Sequence, residues 1–196
     1  AEAKRAGFKI ITIIRNNILK KTDVSQGFAI PGKSHILVQE DQSNLNIYGN
    51  IFEGQPAVAS MDFTGPVNGM NVFNNLFEDQ VMTYQGPISF HTDQGNTTPF
   101  TNMNFFNNTF VAVPAKGADI GLNAGRLSNV TILNNIIDAS STSQFERFGY
   151  QVVVSFNTGV VDYLTLEINN NVYNSVMSRP FKADDSYYNL SSWKAA

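Results

Sequence analysis

The sequence predicts an all-β fold: a right-handed, single-stranded parallel β-helix (solenoid) of about six coils, with a short helical cap before it. Three observations predict it. One short phrase built around Asn recurs six times, its neighbours are mostly β-branched or aromatic, and a second alternating segment recurs between the copies.

The phrase spans residues 14–18, 47–51, 72–76, 105–109, 132–136 and 168–172, and its final Asn falls at 17, 50, 75, 108, 135 and 171. The intervals are 33, 25, 33, 27 and 36 residues. A repeat of this length marks a stacked architecture. A helical repeat would space its apolar residues three and four apart over ten or more positions, whereas these phrases are short and bounded by Asn and Gly, so they read as strand, turn, strand. Coils stacked about 4.8 Å apart would let each Asn amide bond to the ones above and below. The result is an asparagine ladder.

The second element is clearest in residues 87–95, where Ile88 and Phe90 oppose Ser89, His91 and Asp93. The same two-sided pattern appears in residues 57–65, 118–125 and 152–159, with Met61, Ile120, Leu122, Val154 and Phe156 on the apolar side. Each coil therefore supplies at least two strands. The organisation expected is an N-terminal cap over 1–7 closed by Gly7, coils over 8–175, and a C-terminal non-repeat segment over 176–196.

These phrases resemble the right-handed parallel β-helix superfamily typified by pectate lyases, over about residues 8–175. The resemblance implies an extracellular protein that handles polysaccharide, but not an activity, because the superfamily holds lyases, hydrolases, epimerases and adhesins without catalysis. The ending over 188–196 also resembles the segment that follows the last coils in such proteins, where more chain usually follows, so truncation is expected.

Composition narrows the partners. Hydrophobic residues make up 42% and charged residues 15%, which suits a folded chain. A net charge of −3, with no cluster of Lys and Arg, disfavours nucleic acid. The absence of cysteine removes disulfides, thiolate metal sites and a cysteine nucleophile. No run approaches the roughly 20 apolar residues of a membrane span. Residues 1–6 carry no signal-peptide core and no initial Met, so the chain reads as a mature or excised product.

Outward side chains of stacked strands form columns. Alignment on the trailing turns puts Asp62, Asp93, Asn123 and Asn157 in one column, and Ser60, His91, Gly121 and Ser155 in the next. Gln39 and Asp41 extend them downward. Such columns suit a sugar polymer, because acids and amides bond to several hydroxyls along one chain; they equally suit plain solvated side chains. A lyase acting on uronic acids needs charge neutralisation and a base. Asp62 and Asp93 are the candidate Ca²⁺ ligands, being hard oxygen donors, and Arg126, His91 or Lys116 the candidate bases. A hydrolase would use Asp62 and Asp93 as its carboxylate pair, although the Gly-His-Gly and Arg-x-Lys motifs of polygalacturonases are absent. Asn123, Ser155, Asn157, Tyr84 and Tyr150 are the candidate substrate-binding residues, the tyrosines by stacking on sugar rings. Three functions compete, and the sequence favours them in this order: a polysaccharide lyase or glycoside hydrolase acting on an acidic polysaccharide, a non-catalytic glycan-binding β-helix, and a structural or adhesive segment.

Overall fold

The structure, a computed structural model, describes residues 12–21, 34–54, 59–78, 86–90, 98–111, 118–122, 126–139, 152–156, 165–175, 181–183 and 186–195. Successive strands are dealt in rotation to three sheets. Sheet A holds β1 (Thr12–Arg15), β4 (Gln42–Tyr48), β7 (Val67–Phe73), β10 (Pro99–Phe106), β13 (Arg126–Leu133) and β16 (Leu166–Asn169). Sheet B holds β2 (Ile18–Lys21), β5 (Ile51–Gly54), β8 (Leu76–Glu78), β11 (Thr109–Val111), β14 (Ile136–Ala139) and β17 (Val172–Ser175). Sheet C holds β3 (Ile36–Val38), β6 (Met61–Phe63), β9 (Ile88–Phe90), β12 (Ala118–Leu122), β15 (Val152–Phe156) and β18 (Phe181–Ala183). All of these strands pair in parallel with the strand three places before or after, in stacked layers consistent with a parallel β-helix. A last strand, β19 (Ser186–Tyr188), turns back antiparallel on β18, and the short helix α1 (Leu190–Ala195) follows.

Sheets A and B are joined by the same two-residue corner in every layer, and the Asn phrase explains why. The residue before each ladder Asn has positive φ: Asn16 at 57°, Gly49 at 63°, Asn74 at 54°, Asn107 at 55°, Asn134 at 55° and Asn170 at 54°. Asn and Gly reach this left-handed region at least cost. The turn it makes aims the next Asn inward. There Asn17, Asn50, Asn75, Asn108 and Asn135 each donate Nδ2 to Oδ1 of the Asn one layer on, at 3.0, 3.0, 3.0, 3.0 and 2.9 Å. From Asn50 on, the second Nδ2 hydrogen goes to a carbonyl of the layer before, as from Asn75 to Ile47 and from Asn108 to Val72, both at 2.9 Å. Burying these amides would be costly unpaired, but here each is satisfied.

Inside the stack, like residues lie over like. Leu45, Met70, Met103 and Val130 form one column of sheet A, and Ile47, Val72, Phe105 and Ile132 the next, all buried. On sheet B the rings of Phe52 and Phe77 stack at 4.8 Å, and those of Phe77 and Phe110 at 4.5 Å. At the far end Trp193 of α1 stacks on Phe181 at 4.9 Å, while Asn189 caps that helix by accepting from the Ser192 backbone N–H at 2.8 Å. Sheet C thus continues into the segment that the sequence sets apart as 176–196; the cap expected over 1–7 lies outside the described residues. No helix among the described residues is long and apolar enough to cross a membrane.

Candidate functional site

The three sheets differ in what borders them. Between A and B the connection never varies, because the ladder needs the same corner in every layer. Between B and C the chain runs through 22–35, 55–60, 79–87, 112–117, 140–151 and 176–180, and between C and A through 39–41, 64–66, 91–98, 123–125 and 157–165. Sheet C is therefore bordered on both sides by connections of changing length. Segments that vary over a constant frame are where binding groups concentrate.

The outward column of sheet C is set by register. Asp62 pairs with Ser89, Ser89 with Gly121, and Gly121 with Ser155. This corrects the sequence alignment, which put Gly121 and Ser155 in a separate column from Asp62. Asp62 and Ser155 share one column, three layers apart. Asp62 and Ser89 are also more enclosed than outward positions on the other sheets, at 4% and 8% exposure against 53% for Ile13 and 68% for Ile18. Arg126 is exposed at the start of β13, on sheet A, beside Pro99, and lies at least two layers above Asp62. The structure does not bring those two together. His91, Asp93, Asn123, Asn157, Tyr84, Tyr150 and Lys116 lie outside the described residues.

One histidine sits at the border of this face. His35 places Nε2 3.0 Å from the Glu53 carbonyl and Nδ1 3.2 Å from Ser60 Oγ. A carbonyl only accepts, so Nε2 carries the proton and Nδ1 receives the Ser60 hydroxyl. An imidazole so oriented can activate a serine, but Ser60 has no exposed surface. The pair therefore ties adjacent layers together. Among the described residues no group of three or more His, Asp or Glu side chains is placed to hold a metal ion. Asp62 alone falls short of the six to eight oxygens that Ca²⁺ takes.

The outer face of sheet A carries polar columns that the sequence reading did not single out. Asn104 donates to Asn71 and Asn71 to Asn46, each at 2.9 Å. Two residues earlier lies a second left-handed column: Asn44 at 54°, Gly69 at 82°, Asn102 at 57° and Asn129 at 52°. Pairing passes over these residues, from Ser43↔Asn68 to Leu45↔Met70 and from Thr101↔Ser128 to Met103↔Val130. The signal was present, since the two columns keep constant offsets of four and six residues before each ladder Asn. Beside them Tyr48, Phe73 and Phe106 stack at 4.7 and 4.8 Å, with Arg15 donating to the Tyr48 hydroxyl at 3.1 Å. Their faces cover one another, so this outward stack braces the layers and offers a ligand only its edges.

No protein-family model, no curated protein and no solved structure matches this chain. The architecture rests on its own strand pairing.

Proposed function

We propose that the chain is a right-handed, single-stranded parallel β-helix of the pectate-lyase-like kind, secreted or displayed at a cell surface, that binds an acidic polysaccharide across the outer face of sheet C. The observation that carries this reading is the contrast between the constant A–B corner and the varying connections on both borders of sheet C. Tyr84, His91, Asp93, Asn123, Tyr150 and Asn157 all fall within those connections, while Asp62 and Ser155 stand on the sheet between them. Ca²⁺ held by Asp62 and Asp93 would screen the substrate carboxylates in this reading.

Cleavage is the second reading, with His91, Lys116 or Arg126 as base for lyase chemistry, or Asp62 and Asp93 as the pair of a hydrolase. Binding stands ahead of it because the neighbour of Asp62 in the next layer is Ser89, so no two described carboxylates of this column stand the roughly 5 Å apart of adjacent layers that a retaining hydrolase requires.

The test is affinity electrophoresis through polygalacturonate and alginate, with and without Ca²⁺, together with absorbance of unsaturated sugar and release of reducing ends. Saturable retardation weakened about tenfold by Asp93→Asn, equivalent to about 1.4 kcal/mol, supports the reading. No retardation by any acidic polymer removes it. Unsaturated product adds a lyase, and reducing ends alone add a hydrolase.

A further inference from the structure

A different face carries a site of different chemistry. On sheet A the left-handed residues Asn102 and Asn129, at φ 57° and 52°, interrupt the strand pairing at the same place in adjacent layers. Beside them, in layers four to six, lies a cleft of about 380 Å³, lined by Asn102, Asn104, Asn129, Thr131, Thr165 and Glu167 with Leu166. That volume lies within the range of small-ligand sites.

We propose that this cleft binds a neutral, hydroxyl-rich saccharide. Its lining offers amides, hydroxyls and one carboxylate, which together donate to and accept from sugar hydroxyls. Among the described residues its lining contains no cation, and Glu167 repels a uronate. An acidic sugar therefore belongs elsewhere.

The lining is also held in place before any ligand arrives. Asn129 donates to Asn102 Oδ1 at 2.9 Å, Asn102 to Asn68 Oδ1 at 2.8 Å, and the Asn129 backbone N–H to Thr165 Oγ1 at 2.9 Å. Side chains fixed in this way lose little freedom on binding. The amide column ends in the cleft as well. Asn46 and Asn71 each accept from an amide one layer on, but Thr131 replaces the amide above Asn104, which leaves the Asn104 carbonyl oxygen for a ligand hydroxyl.

This inference goes beyond the reading of sheet C and does not rest on it. The test titrates the full chain with cellotetraose, mannotetraose, maltotetraose and trigalacturonate by calorimetry and by NMR. Two variants accompany it. Asn129→Gly removes an amide while keeping the left-handed backbone, as Gly69 does at the same place two layers below. Glu167→Gln keeps hydrogen bonding and removes the charge.

The expected result is saturable binding of at least one neutral tetrasaccharide, weakened about tenfold by Asn129→Gly with an unchanged melting temperature. Trigalacturonate should leave the sheet A resonances unmoved in the wild type and shift them in Glu167→Gln. The proposal is overturned if no neutral oligosaccharide binds at millimolar concentration, or if Asn129→Gly binds like the wild type. Asp93→Asn should leave neutral-sugar binding intact, which separates failure of this site from failure of sheet C.

Discussion

Asn108 occupies the middle of the corner column with its side chain fully engaged. It donates to Asn135 Oδ1 at 3.0 Å and to the Val72 carbonyl at 2.9 Å, and its own Oδ1 accepts from Asn75 Nδ2 at 3.0 Å and from the Asn75 backbone N–H at 3.2 Å. Replacement by Ala leaves several buried partners unmet, each costing about 1–3 kcal/mol. Asn108→Ala should therefore lower the unfolding free energy by about 3 kcal/mol or more in guanidinium, whereas Asn17→Ala, at the exposed end of the column, should cost about 1 kcal/mol. Equal losses would mean that the column adds nothing beyond local turn chemistry. At this scale the sequence was readable. The ladder Asn and the left-handed residue before it follow from local chemistry, and Gly49 takes the place that Asn holds in the other layers because its φ of 63° lies in the same left-handed region.

Strands stack because identical faces repeat, and the energetic weight differs sharply between the inner and outer faces. Phe77 is fully buried between Phe52 and Phe110, so Phe77→Ala should cost about 3–5 kcal/mol, the range for a large side chain deleted from a core. Phe73, between Tyr48 and Phe106 on the outer face, is half-buried and should cost about 1 kcal/mol through lost ring contacts. Denaturant midpoints of the two variants separate these roles; a larger loss at Phe73 would show that the outer stack, rather than the core, holds the layers. The in-and-out alternation of Met61, Ile88, Phe90, Ile120 and Leu122 was legible from sequence, since period two is a property of the strand itself.

Beyond the sixth corner the described chain packs into an aromatic cluster in which Tyr173 meets Phe181 edge-on at 4.9 Å and Trp193 covers Phe181. Unpaired strand edges invite association, and a cover of this kind blunts them. Burial pushes the Tyr173 hydroxyl up from 10.0 to about 12, against a smaller lowering from the Asn171 side chain. The folded state thus keeps its proton when the unfolded chain has lost it, so stability is full below pH 10.0 and falls as the pH rises toward about 12. Unfolding followed across this alkaline range should show that fall, and Tyr173→Phe should flatten it. An unaltered slope in the variant would place the effect on other groups.

The sequence by itself determined the repeat, the ladder and the inward face of each strand, because these depend on local backbone preference and on a period of two. Only the tertiary structure decided which residues meet between layers. That Asp62 pairs with Ser89 was not legible, because an even shift in register keeps every side chain on its own face, so hydrophobic alternation cannot detect it, and the connections at 64–66 and 91–98 differ too much in length for their turns to serve as markers. The cleft on sheet A likewise emerges only when Asn102, Asn129 and Thr165, from three successive layers, are brought side by side, since residues so far apart in sequence meet only through the stacking.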